Sequence, residues 1–230
     1  MRAELSIPSF NAAPRKSLVS HVETQIRDAL IEGRMAPGTR LVTKDLASSL
    51  DVSITPAREA LVRFVASGVL SAEPAASFRV PSFDAAGYRE LSVIRKRVEG
   101  LAAEMASENI TDADIASLDN QLASLERACA GADMHIALKA NHEFRFAFYA
   151  FAKMPTLLDV IDTLWLRAGP GHNMLFIEAG QTFDPAPYRT LIEALRRHDA
   201  DGARAIIEDV IDALSDAVVA RLRAEDSRTA

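Results

Sequence analysis

The chain has a single cysteine, Cys129, among its 230 residues. That excludes an internal disulfide and a zinc knuckle, and it suits a reducing compartment. Cys129 itself reads as a small apolar filler on a helix. No uninterrupted apolar run approaches the roughly 18 residues needed to cross a bilayer. The opening "MRAELSIPSFNAAPRKS" also lacks the apolar block of a secretory leader. The expectation is a soluble protein of the cytoplasm with no membrane partner. Catalytic signatures are missing as well. There is no Glu-x-x-His pair of the kind that lines di-metal helical sites, and no G-x-S-x-G elbow. The five histidines, His21, His135, His142, His172 and His198, show no ligand spacing and read as surface or capping residues. These absences count against a helical metal-dependent enzyme. No fixed-period repeat is visible, which favours an antiparallel bundle over a solenoid.

The chain does have apolar content, 49% of its residues, enough for one large core or two modest ones. Its charge is uneven. Residues 1–81 hold 10 Lys and Arg against 8 Asp and Glu, whereas residues 82–230 hold 16 against 24. A slightly basic head on an acidic body is compatible with nucleic-acid contact through the head alone.

Residues 1–16 carry two prolines and little periodicity, and are expected to form a loose arm. From Ser17, Leu18, Val22, Ile26, Ala29 and Leu30 recur at helical spacing, ending at Gly33. Pro37-Gly38 signals a turn. Thr43 is then placed to cap a short helix, and "DVS" joins it to a second, giving a helix-turn-helix. Two short apolar pieces, Val69-Leu70 and Phe78-Val80, predict a β-hairpin wing. Beyond Ser82 everything reads as helix: 84–107, 111–130, 132–152, 154–168, 184–198 and 200–224. Gly169-Pro170-Gly171 and "QTFDPAPY" are expected to break the array. The fold class is therefore mainly α, a winged helix-turn-helix over 17–81 followed by an antiparallel helical bundle over 82–230.

The stretch "VSITPAREAL", 52–61, puts Thr55, Pro56 and Arg58 at a helix start. Proline is tolerated in the first turn, and Ser53 or Thr55 is placed to cap the orphan amides. Such a start also offers amides and an arginine to an anion such as a phosphate.

The segment "IEGRMAPGTRLVTKDLASSLDVSITPAREALVRFVASGVL", 31–70, resembles the winged helix-turn-helix of the GntR family of bacterial transcription regulators. It has the "GR…PG.RL" entry, "LA..L.VS.TP.REAL" across both helices, and the "G.L" before the wing. Further on, "YRELSVIRKRVEGLAAEMA", "NHEFRFAFYAFAKMPTLLDVIDTLW" and "YRTLIEALRRHDADGARA" resemble the all-helical effector domain (FCD) of the FadR-like branch. The resemblance implies a homodimer on a palindromic double-stranded operator, probing the major groove with a recognition helix from about Thr55 to Ser67. Arg58 would then read guanine as a two-pronged donor. Lys44, Ser53 and Thr55 match family positions that touch DNA, and Arg40 would meet a phosphate. Two positions depart from the family. Ile54 stands where a second arginine is common, to read a thymine methyl or to pack. Ser77 stands where the wing often has a glycine that lets the backbone approach the minor groove.

Many such effector domains hold a divalent metal on an aspartate, a histidine four residues later, and two further histidines. The matching positions here are Asn141, Arg145, Tyr188 and Val210, so no metal and no other cofactor is expected. A one-residue slip toward Asp209, or the neighbouring His142, restores at most one or two ligands. A small organic acid is the expected effector. Its carboxylate would go to Arg145, with Arg95, Asn141 and Tyr188 as polar contacts and Tyr149 or Trp165 as a wall. The alternative is that Arg145 pairs with Glu99 in a collapsed cavity and the helical domain serves dimerisation only. Phe144, Phe146, Phe148 and Phe151 read as packing rather than an aromatic box.

Overall fold

The computed structural model describes residues 18–229. The expected N-terminal arm, 1–16, and Ser17 lie outside the described residues.

The head starts with α1 (Leu18–Ile31), whose apolar stripe Val22, Ile26, Ala29 and Leu30 is buried. It continues through β1 (Arg40–Val42), α2 (Thr43–Ser49), α3 (Ile54–Ala66), β2 (Ser71–Glu73) and β3 (Ser77–Arg79). The three strands form an antiparallel sheet in the order β1-β3-β2, with Leu41 and Ala72 on either side of Phe78. Ile26, Leu30, Leu61, Phe64, Phe78 and Val80 make the core of the head.

The head differs from expectation in three details. The first wing strand lies later than Val69-Leu70, which are buried in the core, the second overlaps Phe78–Val80, and Arg40–Val42 supplies a third strand where only a turn was expected. Thr43 does not cap α2: it is the first helical residue, and its hydroxyl donates across to the Ala76 carbonyl at 2.9 Å, tying helix to wing. Ser53 holds the cap position of α3, but its side chain makes no cap bond and Thr55 lies one residue inside the helix. Pro56 has no amide, so one of the donors that a cap would satisfy is missing.

The body packs α4 (Ala85–Asn109), α5 (Asp112–Ala130), α6 (Met134–Ala150), α7 (Pro155–His172), a π-helical turn Asn173–Glu178, α8 (Ala186–Arg196) and α9 (Ala200–Thr229). The caps follow the sequence. Asp84 accepts from the Gly87 amide, Thr111 and Asp114 form a reciprocal capping box, and Asp133 accepts from the His135 and Ile136 amides. Leu118, Leu122, Phe144, Phe148, Leu191 and Ile207 fill the middle, each worth roughly 1.5–3 kcal/mol of burial.

Gly169-Pro170-Gly171 does not break the array. α7 runs through Pro170 to His172 and passes into the π-helical turn. The glycines serve close approach instead of chain reversal. A Cβ at Gly169 would stand 2.6 Å from the Leu30 carbonyl oxygen, and one at Gly171 would stand 2.6 Å from the Tyr88 ring. A wider turn after a proline absorbs the mismatch in the hydrogen-bond ladder.

Candidate nucleic-acid interface and effector cavity

On the head, α3 turns its first residues outward. Ser53, Ile54, Thr55 and Arg58 are exposed, as is Lys44 on α2, while Pro56, Ala57, Ala60 and Leu61 face inward. The 3.6-residue period produces this division, with position 58 falling opposite the buried stripe. Ile54 is 55% exposed, so it presents an apolar tip to solvent and does not pack into the core. Arg40 is exposed at the edge of the wing, where its guanidinium donates to the Ser77 hydroxyl at 3.2 Å. Ser77 differs from the others in being 1% exposed. Its hydroxyl donates to the Pro74 carbonyl at 2.9 Å, which turns the side chain away from any groove.

In the body, a cavity of about 260 Å³ lies between α4, α6, α7, α8 and α9. Arg95, Asn141, Arg145, Trp165 and Tyr188 line it on one side, with Val210 opposite. Glu99 and Tyr149 stand behind this wall as its support. Arg145 donates through Nε to the Tyr149 hydroxyl (2.7 Å), through Nη1 to the Tyr188 hydroxyl (3.1 Å) and through Nη2 to Glu99 Oε2 (2.8 Å). Tyr188 passes the chain on to Asn141 Oδ1 at 2.8 Å. Glu99 Oε2 also accepts from Tyr149 and from the Trp165 indole, each at 2.8 Å, and Glu99 Oε1 accepts from Arg95 Nε at 2.7 Å. The Arg145–Glu99 ion pair is thus present, but the cavity beside it has not collapsed.

Protonation in this cluster follows from burial and charge. Burial raises the pKa of Glu99, yet the two guanidiniums and their hydrogen bonds outweigh it and hold the carboxyl below its ordinary range. Burial also works against the Arg145 cation. The neighbouring Tyr149, Tyr188 and Glu99 oxygens reverse this and raise its pKa. Tyr149 and Tyr188 are pushed upward, mainly by burial, and stay neutral.

Sequence reasoning missed several members of the wall, Leu175, Phe176, Phe183 and Leu214 among its apolar part and His172 among its polar part. His172 is buried in the cavity lining rather than at the surface, and burial followed by the Arg95 charge lowers its pKa to about 3. Its position after two glycines and a proline concealed it, because the helix was expected to have ended. His142 does not line the cavity. It stacks on Phe146 with ring centroids 4.2 Å apart, and burial lowers its pKa to about 4. Asp209 is exposed on α9.

The helix that lines the cavity also holds the head. Leu166 on α7 belongs to the core of the head, and Asp162 pairs with Arg27 of α1. In the π-helical turn, Asn173 Nδ2 donates to the Gly33 carbonyl at 2.6 Å, while Leu175 and Phe176 face the cavity. On α6, the His135 ring meets the Glu32 carbonyl at 2.6 Å.

A winged helix-turn-helix with an outward recognition helix, joined to a helical body with its own cavity, defines a DNA-binding transcription regulator. Comparison with known proteins agrees. Residues 18–80 match the bacterial regulatory proteins of the gntR family, and residues 90–213 match the FCD domain. The chain belongs to the GntR family, in the branch whose second domain is an FCD domain. It is 35% identical over 212 residues to the HTH-type transcriptional regulator McbR of Escherichia coli strain K12, a match covering 89% of this chain and 94% of McbR. The solved structure of E. coli McbR/YncC is similar with a TM-score of 0.81 and 36% identity, covering 92% of this chain and 99% of that one. A putative GntR regulator from Rhodococcus sp. RHA1 shares the fold at a TM-score of 0.71 and 19% identity, covering 89% and 99% of the two chains. These relatives are named as transcription regulators, which supports that role over an enzymatic one. Among the described residues, no helix is long and apolar enough to cross a membrane.

Proposed function

We propose that the protein is a cytoplasmic repressor, a homodimer on a palindromic operator, released by a small organic acid that enters the body cavity. Residues 17–81 bind DNA, and residues 82–230 bind the effector and dimerise. The observation that carries this reading is the cavity itself: an open space beside two nine-tenths-buried guanidiniums and lined in part by α7, the helix that docks the head. A buried cation is costly unless paired, so a carboxylate is a favourable occupant. A ligand in the cavity would rest against Leu175 and Phe176, and the same turn carries Asn173 to the Gly33 carbonyl, which offers a route to the head.

Dimerisation is supported by α4, where Val93, Ile94 and Leu101 are exposed apolar residues and Ile94 and Leu101 stand two turns apart on one face. A single head covers few base pairs, so two are needed for useful affinity against a genome of competing sites. No resident metal is assigned, because Asn141, Arg145, Tyr188 and Val210 offer weak oxygen donors around a fixed positive charge.

The test begins by selecting DNA from a random-sequence pool with the purified full-length protein. A palindromic consensus and a dimer in sedimentation are expected, with Leu101→Glu weakening both dimer and DNA binding. A monomer that binds a half-site tightly would overturn the dimer. An operator affinity untouched by every organic acid that binds the protein would overturn effector control.

A further inference from the structure

The geometry points to a narrower ligand class: an anion of single charge with an apolar body, held by Arg95 rather than by Arg145. This rests on the reading of the cavity as the effector site.

The first argument is a count of charge. The buried cluster holds two cations, Arg95 and Arg145, and one anion, Glu99, at 3%, 2% and 0% exposure. Tyr149, Tyr188 and His172 complete it as neutral groups, kept so by burial. The cluster therefore has one positive charge in excess in a place poor in water. One carboxylate balances it. A dianion would reverse the imbalance and bring its second charge toward Asp184, the carboxylate in the cavity lining.

The second argument is which guanidinium is free to receive the ligand. Each nitrogen of Arg145 already donates to protein, to Tyr149, Tyr188 and Glu99, which leaves one N–H on each terminal nitrogen. Arg95 spends only Nε, on Glu99 Oε1. Its Nη1 and Nη2 have no hydrogen-bond partner among the described residues, although the side chain lines the cavity. Two terminal nitrogens of one planar fork match the two oxygens of a carboxylate. The plane is already set, because the guanidinium lies over the Trp165 ring, 5.0 Å from its centroid. Asn141 Nδ2 is a further donor on the lining without a partner among the described residues, since Oδ1 takes the Tyr188 hydroxyl.

The third argument concerns the rest of the ligand. Away from the arginines, Leu175, Phe176, Phe183, Val210 and Leu214 give the lining an apolar side, and the polar Gln181, Thr182 and Asp184 of the loop before α8 are exposed. The apolar side rewards an alkyl or aromatic body, and hydroxyls of a sugar acid turned against those five side chains would leave water without compensation.

Trp165 is the only tryptophan in the chain, so its emission reports directly on the Arg95 face. The full-length protein is titrated with benzoate and hexanoate, with their amides, and with phthalate and adipate, following melting temperature and Trp165 fluorescence. At least one monoanion is expected to raise the melting temperature and change the emission, while its amide and the matching dianion bind at least tenfold more weakly. Arg95→Gln should abolish both responses. Arg95→Lys, which keeps the charge and loses the fork, should bind at least tenfold more weakly and serves where the glutamine variant does not fold. Amides or dianions that bind as well as the monoanions, or an Arg95→Lys protein that binds like the wild type, would overturn the proposal while leaving the cavity as an effector site. If none of the six compounds binds the wild type, the proposal and the effector-site reading fall together.

Discussion

Gly169 on α7 packs so closely on Leu30 of α1 that a Cβ at Gly169 would stand 2.6 Å from the Leu30 carbonyl oxygen. The neighbour is backbone inside a helix, so it has no rotamer by which to give way. This contact, with Leu166 in the core of the head and the Arg27–Asp162 pair, seats the DNA-binding head on the helix that lines the cavity. Gly169→Ala should therefore force the two helices apart and cost about 1–3 kcal/mol, as overpacking does elsewhere. Urea unfolding of the variant measures it, and a change below about 0.5 kcal/mol, the range of an ordinary surface substitution, would contradict the packing argument.

At the DNA surface, two exposed cations should fail differently when removed. Arg58→Ala should lose most discrimination between operator and random DNA, because a two-pronged guanine contact is worth about 1–3 kcal/mol. Lys44→Ala should weaken binding to both DNAs alike and lower the salt slope by about 1. Equal loss on both DNAs for Arg58→Ala would remove it from base readout.

The purified protein should hold no stoichiometric zinc, nickel or manganese, and a chelator should leave its melting temperature unchanged. Arg145 sits among the positions a metal would need, and its raised pKa keeps it charged. One tightly bound transition metal per chain by elemental analysis would sink this expectation.

Acid should destabilise the fold before most carboxylates titrate. His172 and His142 have folded-state pKa values lowered to about 3 and about 4, mainly by burial, whereas an unfolded histidine titrates near 6.5. The unfolded chain therefore takes up protons that the native state refuses. The stability these residues contribute is present above about pH 6.5 and is lost as pH falls toward 4, at up to about 1.4 kcal/mol per pH unit for each. Urea midpoints taken between about pH 7.5 and pH 5 should show the slope. His142→Phe, which keeps the stack on Phe146, should flatten it by about half. An unchanged slope in that variant would show that His142 is not buried in its neutral form.

Local chemistry alone made much of this protein legible. The apolar stripe of α1 and the outward face of α3 both follow from spacing along one helix, because the neighbours that matter are three or four residues away. The density of "TPAREAL" and its surroundings identified the family for the same reason. Tertiary structure decided the rest. Thr43 was read as a cap, and it bonds instead to Ala76. Ser77 takes the wing position where the family often has a glycine near the minor groove, and its side chain is buried. Gly169 and Gly171 were read as a helix stop, and they are places where another element comes too close for a side chain. Most telling is the cavity. The sequence named Arg95, Glu99, Arg145 and Tyr188 together, but which arginine uses its terminal nitrogens on protein and which keeps them free is set by partners 43 and 46 residues away along the chain. Hydrogen bonds over that distance depend on how helices pack against one another, and no periodicity within a single helix encodes it.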